Sequence, residues 1–229
     1  MKKVTLLTAA LAVAVSGFAQ KLGGFDSSIE KKVGPKTVAV PYTDVVSYLG
    51  YAAPNTEDEI KDGKKFYYVY VWIPLAAPEL GVRMMSPVGD TKIKEASKSA
   101  DYDANAKSTD YFDTYITFER STIIKTEDIT AANIKSATWT TLERNDDSGE
   151  MPKQPSGSSY NSLLRYKSDV NDPLKAITIG LYRVGFTTYK TGEVKGTFLA
   201  EVGAPIKLPG VAVAKTVDDL NKAIAAAKK

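Results

Sequence analysis

The chain has 229 residues, with 30 lysines and arginines against 27 aspartates and glutamates, and it contains neither cysteine nor histidine. Those absences exclude disulfides, thiol nucleophiles, a cysteine-linked lipid, the Ser-His-Asp arrangement and almost every zinc, copper or haem site. What remains is oxygen, which selects calcium or magnesium. A formal charge of +3, to which Lys2 and Lys3 contribute, implies no broad basic face and argues against nucleic acid as a partner.

Lys2 and Lys3 form a positive start, Val4–Val15 a short apolar run, and Gly17-Phe18-Ala19 supplies small residues where a signal peptidase reads. Residues 1–19 are therefore expected to be an export signal, too short for a spanning helix, with cleavage after Ala19. The remaining 20–229 read as one domain, and no later apolar run reaches membrane-spanning length. Lys21–Lys36 is polar and reads as an irregular arm. Thr37–Tyr51 suggests one or two short strands around Pro41, and Ala52–Lys65 a loop ending in the Asp62-Gly63 turn signal.

Phe66–Ile73 (FYYVYVWI) is the strongest strand, aromatic or β-branched almost throughout, so both faces are expected to be covered. A membrane-surface stripe is the other reading of its tyrosines, but aromatics alternating across both faces favour core packing. Pro74 and Pro78 end the strand, and Gly81–Ser86 resumes as a shorter one. Thr91–Asp110 is a polar insertion with room for a helical turn. Inside it, Asp101-Tyr102-Asp103-Ala104-Asn105 opens like an EF-hand loop, but Ala106 stands where glycine is needed and Phe112 where the closing glutamate belongs. It is read as a solvated loop.

Tyr111–Arg120 (YFDTYITFER) alternates with a period of two. Phe112, Ile116 and Phe118 fall on one side, and Tyr111, Asp113, Tyr115, Thr117 and Glu119 on the other. This predicts a half-buried strand with Asp113 in the middle of its wet face. Thr126–Ser136 reads as a short helix capped by Thr126, with Ile129 and Ile134 as its apolar contacts. Thr138–Leu142 is a strand leading into the acidic turn Asn145-Asp146-Asp147-Ser148-Gly149, and Ser148–Ser159 is a Gly/Pro/Ser-rich loop held only by its own contacts. Tyr160–Tyr166 is strand-like. Ala176–Tyr189 and Glu193–Gly203 are expected to form a hairpin about Lys190-Thr191-Gly192, with bulges at Gly180 and Gly185. Thr216–Lys229 reads as an amphipathic helix capped by Thr216, with Val217, Leu220 and Ile224 as its stripe. Many short strands with few helices predict a mainly β protein, a β-sandwich with peripheral helices that include the C-terminal one.

Two chemistries suit these carboxylates. Asp113 and the acidic turn can meet in space around a hard cation, with calcium the one expected, although Asp and Gly are also plain turn residues. Alternatively, Asp113 with Glu119 or Asp146 is a glycosidase pair, but no spacing identifies an acid and a base. Exposed Tyr and Trp side chains can instead line a glycan-binding face, but such residues more often sit in cores or at strand edges.

Tyr67–Pro74, Gly81–Pro87 (GVRMMSP), Phe112–Thr114 with Glu119-Arg120, Tyr160–Leu163 (YNSL) and above all Gly180–Gly203 resemble the major surface lipoprotein family of Leptospira and its marine-bacterial relatives. The resemblance covers residues 42–210. It implies a jelly-roll-like β-sandwich and a calcium site built from an Asp-Thr pair, two adjacent Asp residues and a Tyr. These fall on Asp113, Thr114, Asp146, Asp147 and Tyr160, with Thr114 and Tyr160 expected to give backbone carbonyls. The implied function is a non-catalytic calcium-binding envelope or surface protein, an adhesion or interaction module. The alternative is a carbohydrate-binding or carbohydrate-active sandwich with structural calcium. Two departures stand out: there is no cysteine to carry a lipid, so a periplasmic or secreted protein is expected, and the family's long acidic run is reduced to two residues. Binding to extracellular matrix belongs to the pathogen members, and no residue here carries it over.

Overall fold

The computed structural model describes residues 25–89, 93 and 95–227. The expected export signal, residues 21–24 of the arm, part of the polar insertion and Lys228-Lys229 lie outside the described residues.

From Asp26 the arm is not irregular. It is an antiparallel pair, β1 (Asp26–Val33) and β2 (Lys36–Pro41), turning at Gly34 with φ +62°. Almost every side chain of this pair is exposed, so it has no apolar face to leave a period in the sequence. β3 (Asp44–Ala52) follows, and then β4 (Glu59–Lys61), which folds back onto β5 (Lys64–Ile73) through Asp62-Gly63, both at positive φ. That two-residue turn fits the right-handed twist of a hairpin. β6 (Glu79–Met85), β7 (Ser97–Lys98) and α1 (Ala100–Asn105) come next. The EF-hand look-alike is therefore a helix and not a loop; Ser99 caps it by accepting from the Tyr102 amide at 3.1 Å.

β8 (Tyr115–Ser121), α2 (Ala131–Ser136), β9 (Trp139–Asn145), β10 (Ser162–Lys167), β11 (Gly180–Thr187), β12 (Gly196–Ala204), β13 (Ala212–Ala214) and α3 (Val217–Ala227) complete the chain. Thr126–Asp128 is only a 3-10 turn. The helix begins at Thr130, whose hydroxyl accepts from the Asn133 amide, because it is Thr130 and not Thr126 that leaves the helical path. At α3 the expected cap is present: Thr216 Oγ1 accepts from the Asp219 amide at 3.2 Å and donates to its carboxylate at 2.8 Å.

Two sheets stack into a sandwich, ordered β10-β6-β12-β3-β7 and β13-β5-β11-β8-β9, with β4 on the free part of β5. Alternate residues of each sheet fill the space between them. Val69, Val71 and Ile73 of β5 and Tyr182, Val184 and Phe186 of β11 meet Val82 and Met84 of β6 and Phe198, Ala200 and Val202 of β12. The outer faces are covered too. Tyr102 of α1, Phe25 and Met151 pack on Leu49 and Leu199, while Ile134 of α2 and Leu220 and Ile224 of α3 pack on Trp72 and Leu181. Double coverage explains why the strongest strands read as unbroken apolar runs.

The same property overturns the expected hairpin. β11 lies between β5 and β8 in one sheet and β12 between β6 and β3 in the other, so residues 188–195 cross between layers. Phe186 and Phe198 face each other across the sandwich with ring centroids 4.6 Å apart. The local Lys190-Thr191-Gly192 signal marks a turn without saying which layer the next strand joins. Nor do Gly180 and Gly185 make bulges, since β11 keeps register with both neighbours. Gly185 is needed because a Cβ there would lie 2.5 Å from Thr117 Oγ1 and 2.9 Å from the Tyr68 ring. The irregularity instead falls between β8 and β9, where Phe118 opposes Glu143 and Glu119 opposes Thr141, leaving Leu142 extra.

Candidate metal centre

β8 begins at Tyr115, so Asp113 precedes the strand instead of sitting in its middle. The expected wet face is also closed, with Thr117 and Glu119 buried. The last pair of the β8–β9 ladder is Ile116 with Asn145. The segment entering β8 and the residues leaving β9 therefore come together, and Asp113 meets Asp146 and Asp147. One carboxylate oxygen from each lies within 4.8 Å of the others, a cluster that could hold a metal ion.

Thr114 and Tyr160 are joined to each other beside this cluster. The Thr114 amide donates to the Tyr160 carbonyl at 2.9 Å, and its hydroxyl reaches the same oxygen at 3.1 Å. The Tyr160 side chain is itself exposed. Ser162, fully buried at the start of β10, places its hydroxyl between the carbonyls of Thr114 and Asp146, 2.5 Å from the latter. Asn145 Oδ1 accepts from the Leu163 amide at 3.1 Å.

Sequence reasoning missed the groups that hold the acidic loop. Gln154, buried, donates from Nε2 to the carbonyls of Ser86 at 2.8 Å and Phe112 at 2.7 Å. Asn161 accepts from the Ser86 amide at 2.9 Å and donates to the Pro152 carbonyl at 2.7 Å. Arg165 grips Glu150 through two hydrogen bonds of 2.8 and 2.7 Å, and Met151 is sunk into the outer core. The loop is thus not held by its own contacts alone. A glutamine or asparagine in a Ser/Pro-rich stretch looks the same in sequence whether it staples or is solvated.

The electrostatics are those of an uncompensated site. Burial, then the charges of Asp147 and Asp146, push the Asp113 carboxyl up to about 6, against the opposing pull of Lys190 and Lys64. Asp146 is raised by burial and by Asp147, and Asp147 by burial. Among the described residues, the Oδ1 atoms of Asp113 and Asp146 are buried with no hydrogen-bond partner. Buried orphan acceptors are costly, and a hard cation with oxygen preference satisfies them. In the metal-free fold, Asp113 contributes stability below the unfolded value of 3.8, and the contribution is lost as pH rises through about 6.

The proposed glycosidase partner Glu119 is not part of this group. It points to the outer face of the sheet, where Arg183 Nε donates to it at 2.7 Å. The EF-hand look-alike does not add to the cluster either.

Residues 36–213 match the Lipl32 family, described as a surface lipoprotein of the Spirochaetales order. The match runs from the first residue of β2 into β13, and it includes all three clustered aspartates. It indicates a surface lipoprotein family and no catalytic one. A search of curated proteins finds no match to the chain. Spanning more than half of the chain and reaching every strand of the two sheets, the match shows that this chain belongs to the Lipl32 family of surface lipoproteins.

Proposed function

We propose that the protein is a non-catalytic, calcium-binding interaction module of the cell envelope or surface. Asp113, Asp146 and Asp147 supply carboxylates; the backbone carbonyls of Thr114 and Tyr160, which here accept from Ser162 Oγ and from the Thr114 amide and hydroxyl, would exchange those bonds to join them. The observation that carries the reading is the pair of buried, partnerless Oδ1 atoms inside a converging carboxylate cluster. Calcium is favoured over magnesium because it accepts six to eight oxygens in irregular geometry. Magnesium demands a near-ideal octahedron and keeps several waters.

Calorimetric titration of metal-free protein tests this directly. One calcium per chain is expected at neutral pH, with magnesium far weaker and Asp113→Asn losing calcium binding. Because Asp113 must release its proton first, calcium affinity should fall about tenfold for each pH unit below about 6. Titrations showing no calcium heat, or an affinity indifferent to pH across this window, would sink the assignment.

Export without a lipid is the accompanying proposal. The chain has no cysteine to accept a thioether-linked lipid, and among the described residues no helix is long and apolar enough to cross a membrane. Metabolic labelling with a fatty acid is expected to give an unlabelled mature protein beginning at or near Gln20. Covalent lipid, or an intact leader in the membrane fraction, would contradict it.

A further inference from the structure

On the outer face of the β13-β5-β11-β8-β9 sheet, between β4 and α2, lies a cleft of about 610 Å³. Its floor is Arg183 of β11, buried, with its guanidinium 3.6 Å from the Tyr68 ring centroid and 4.2 Å from that of Trp139. Nε is spent on Glu119 at 2.7 Å. Nη2 comes no closer than 3.8 Å to Glu59, beyond hydrogen-bond reach. Among the described residues, no protein acceptor takes the hydrogens of Nη1 or Nη2. A structural role for Arg183 accounts for the two rings and for Glu119. It leaves the N–H groups of Nη1 and Nη2 open at the bottom of the cleft, where a bound ligand can accept from them.

The walls narrow the choice of ligand. Tyr70 and Trp139 are half-buried, their ring centroids 6.2 Å apart and their planes tilted by 43°. The Trp139 indole N–H is used on the Ile134 carbonyl at 3.3 Å, so this residue offers only its ring. Tyr68 donates its hydroxyl to Glu59 at 2.5 Å, which fixes a half-exposed carboxylate as an acceptor at the rim. Charge is balanced: Asp58, Glu59 and Glu119 stand against Lys61, Lys135 and Arg183. An anion finds no net positive field here, because Glu119 already compensates Arg183. A purely apolar ligand would leave the guanidinium N–H groups unpaired. A neutral sugar meets every term. Its C–H face packs on aromatic rings, its hydroxyls accept from Arg183, and the same hydroxyls donate to Glu59. The volume falls within the roughly 300–1,000 Å³ of small-molecule sites.

We propose that this cleft is a binding site for neutral saccharides, separate from the metal centre and independent of calcium. No hydrolysis is implied, since Glu119 is bound by Arg183, Glu59 by the Tyr68 hydroxyl and Asp58 by Lys215.

Trp139 makes the test simple. It is one of two tryptophans in the chain, and the other, Trp72, is buried in the outer core. The full chain is titrated with cellobiose, N,N′-diacetylchitobiose, mannobiose and lactose, and with sodium sulfate and glucuronate as anionic probes. Every titration is run both in calcium and in chelator. At least one neutral disaccharide should give a saturable change in tryptophan emission below about 10 mM, equal in the two buffers. Tyr70→Ala should weaken that binding about tenfold or more, and Arg183→Lys, which keeps the charge but not the planar fork, should do the same. Asp147→Ala should leave it unchanged, so failure of the calcium assignment and failure of this one are separately visible. The proposal is overturned if no disaccharide saturates, if sulfate or glucuronate binds as well as the best neutral sugar, or if Tyr70→Ala leaves the affinity untouched.

Discussion

Calcium is expected to raise the melting temperature of the metal-free protein by about 5–10 °C when present at a hundredfold excess over its dissociation constant. A ligand bound only to the folded state stabilises by about 2.7 kcal/mol at that ratio, and each kcal/mol shifts a domain of this size by roughly 2–4 °C. Asp147→Ala should abolish the shift, while the metal-free variant melts at the wild-type temperature or slightly above it. Removing one of three crowded carboxylates relieves the repulsion that, with burial, raises Asp113 to about 6. Scanning calorimetry of both proteins, with calcium and with chelator, reads the result. A wild type indifferent to millimolar calcium would reduce the three aspartates to an acidic surface.

The gain in order should be narrower than the length of the acidic loop suggests. Gln154, Asn161 and the Arg165–Glu150 pair already fix its far part without any cation. Calcium should therefore slow amide exchange at Asp146–Gly149 and leave Gln154 and Asn161 as they were.

The largest single-residue effect is expected at Phe186. Its ring is fully buried between the layers, with centroids 5.5 Å from Tyr67, 5.8 Å from Phe112 and 4.6 Å from Phe198. Both sheets and the segment leading to Asp113 converge on this one side chain. Phe186→Ala removes the ring and leaves a cavity that flanking strands, pinned by their own ladders, cannot close. The cost should be about 3–5 kcal/mol, seen as a lower urea midpoint at unchanged slope. A loss below about 1 kcal/mol would mean that the layers can collapse around the gap. The cross-sheet aromatic cluster would then not be what holds them in register.

Where the sequence pattern was informative, it was because burial is local and periodic. β5 announces itself by aromatic and β-branched residues on both faces, and α3 by its cap and its Leu220–Ile224 stripe. The three clustered aspartates were legible because two of them adjoin in a turn and the third lies at the head of a periodic strand. Chain continuation was not legible. The period of two ran through Phe112 and Asp113 although the strand begins only at Tyr115, since an extended approach segment alternates as a strand does. β11 and β12 looked like a hairpin because two apolar runs and a glycine turn are the same in one layer or across two. Partners of buried polar groups were least visible. Arg183 with Glu119, and Gln154 with Ser86, join positions far apart in the chain, and no local window contains both.

The β8–β9 ladder has Asp113 and Asp146 just beyond one end and Trp139, opposite Ser121, at the other. Side chains alternate along it, so a slip of β9 by one residue would turn Trp139 toward the wrong layer and carry Asp146 away from Asp113. Leu142, the extra residue of the bulge, is where such a slip is already half made. Relatives that gain or lose a residue there should therefore keep one end in place and displace the other, so the metal centre and the aromatic cleft depend together on one alignment of two strands.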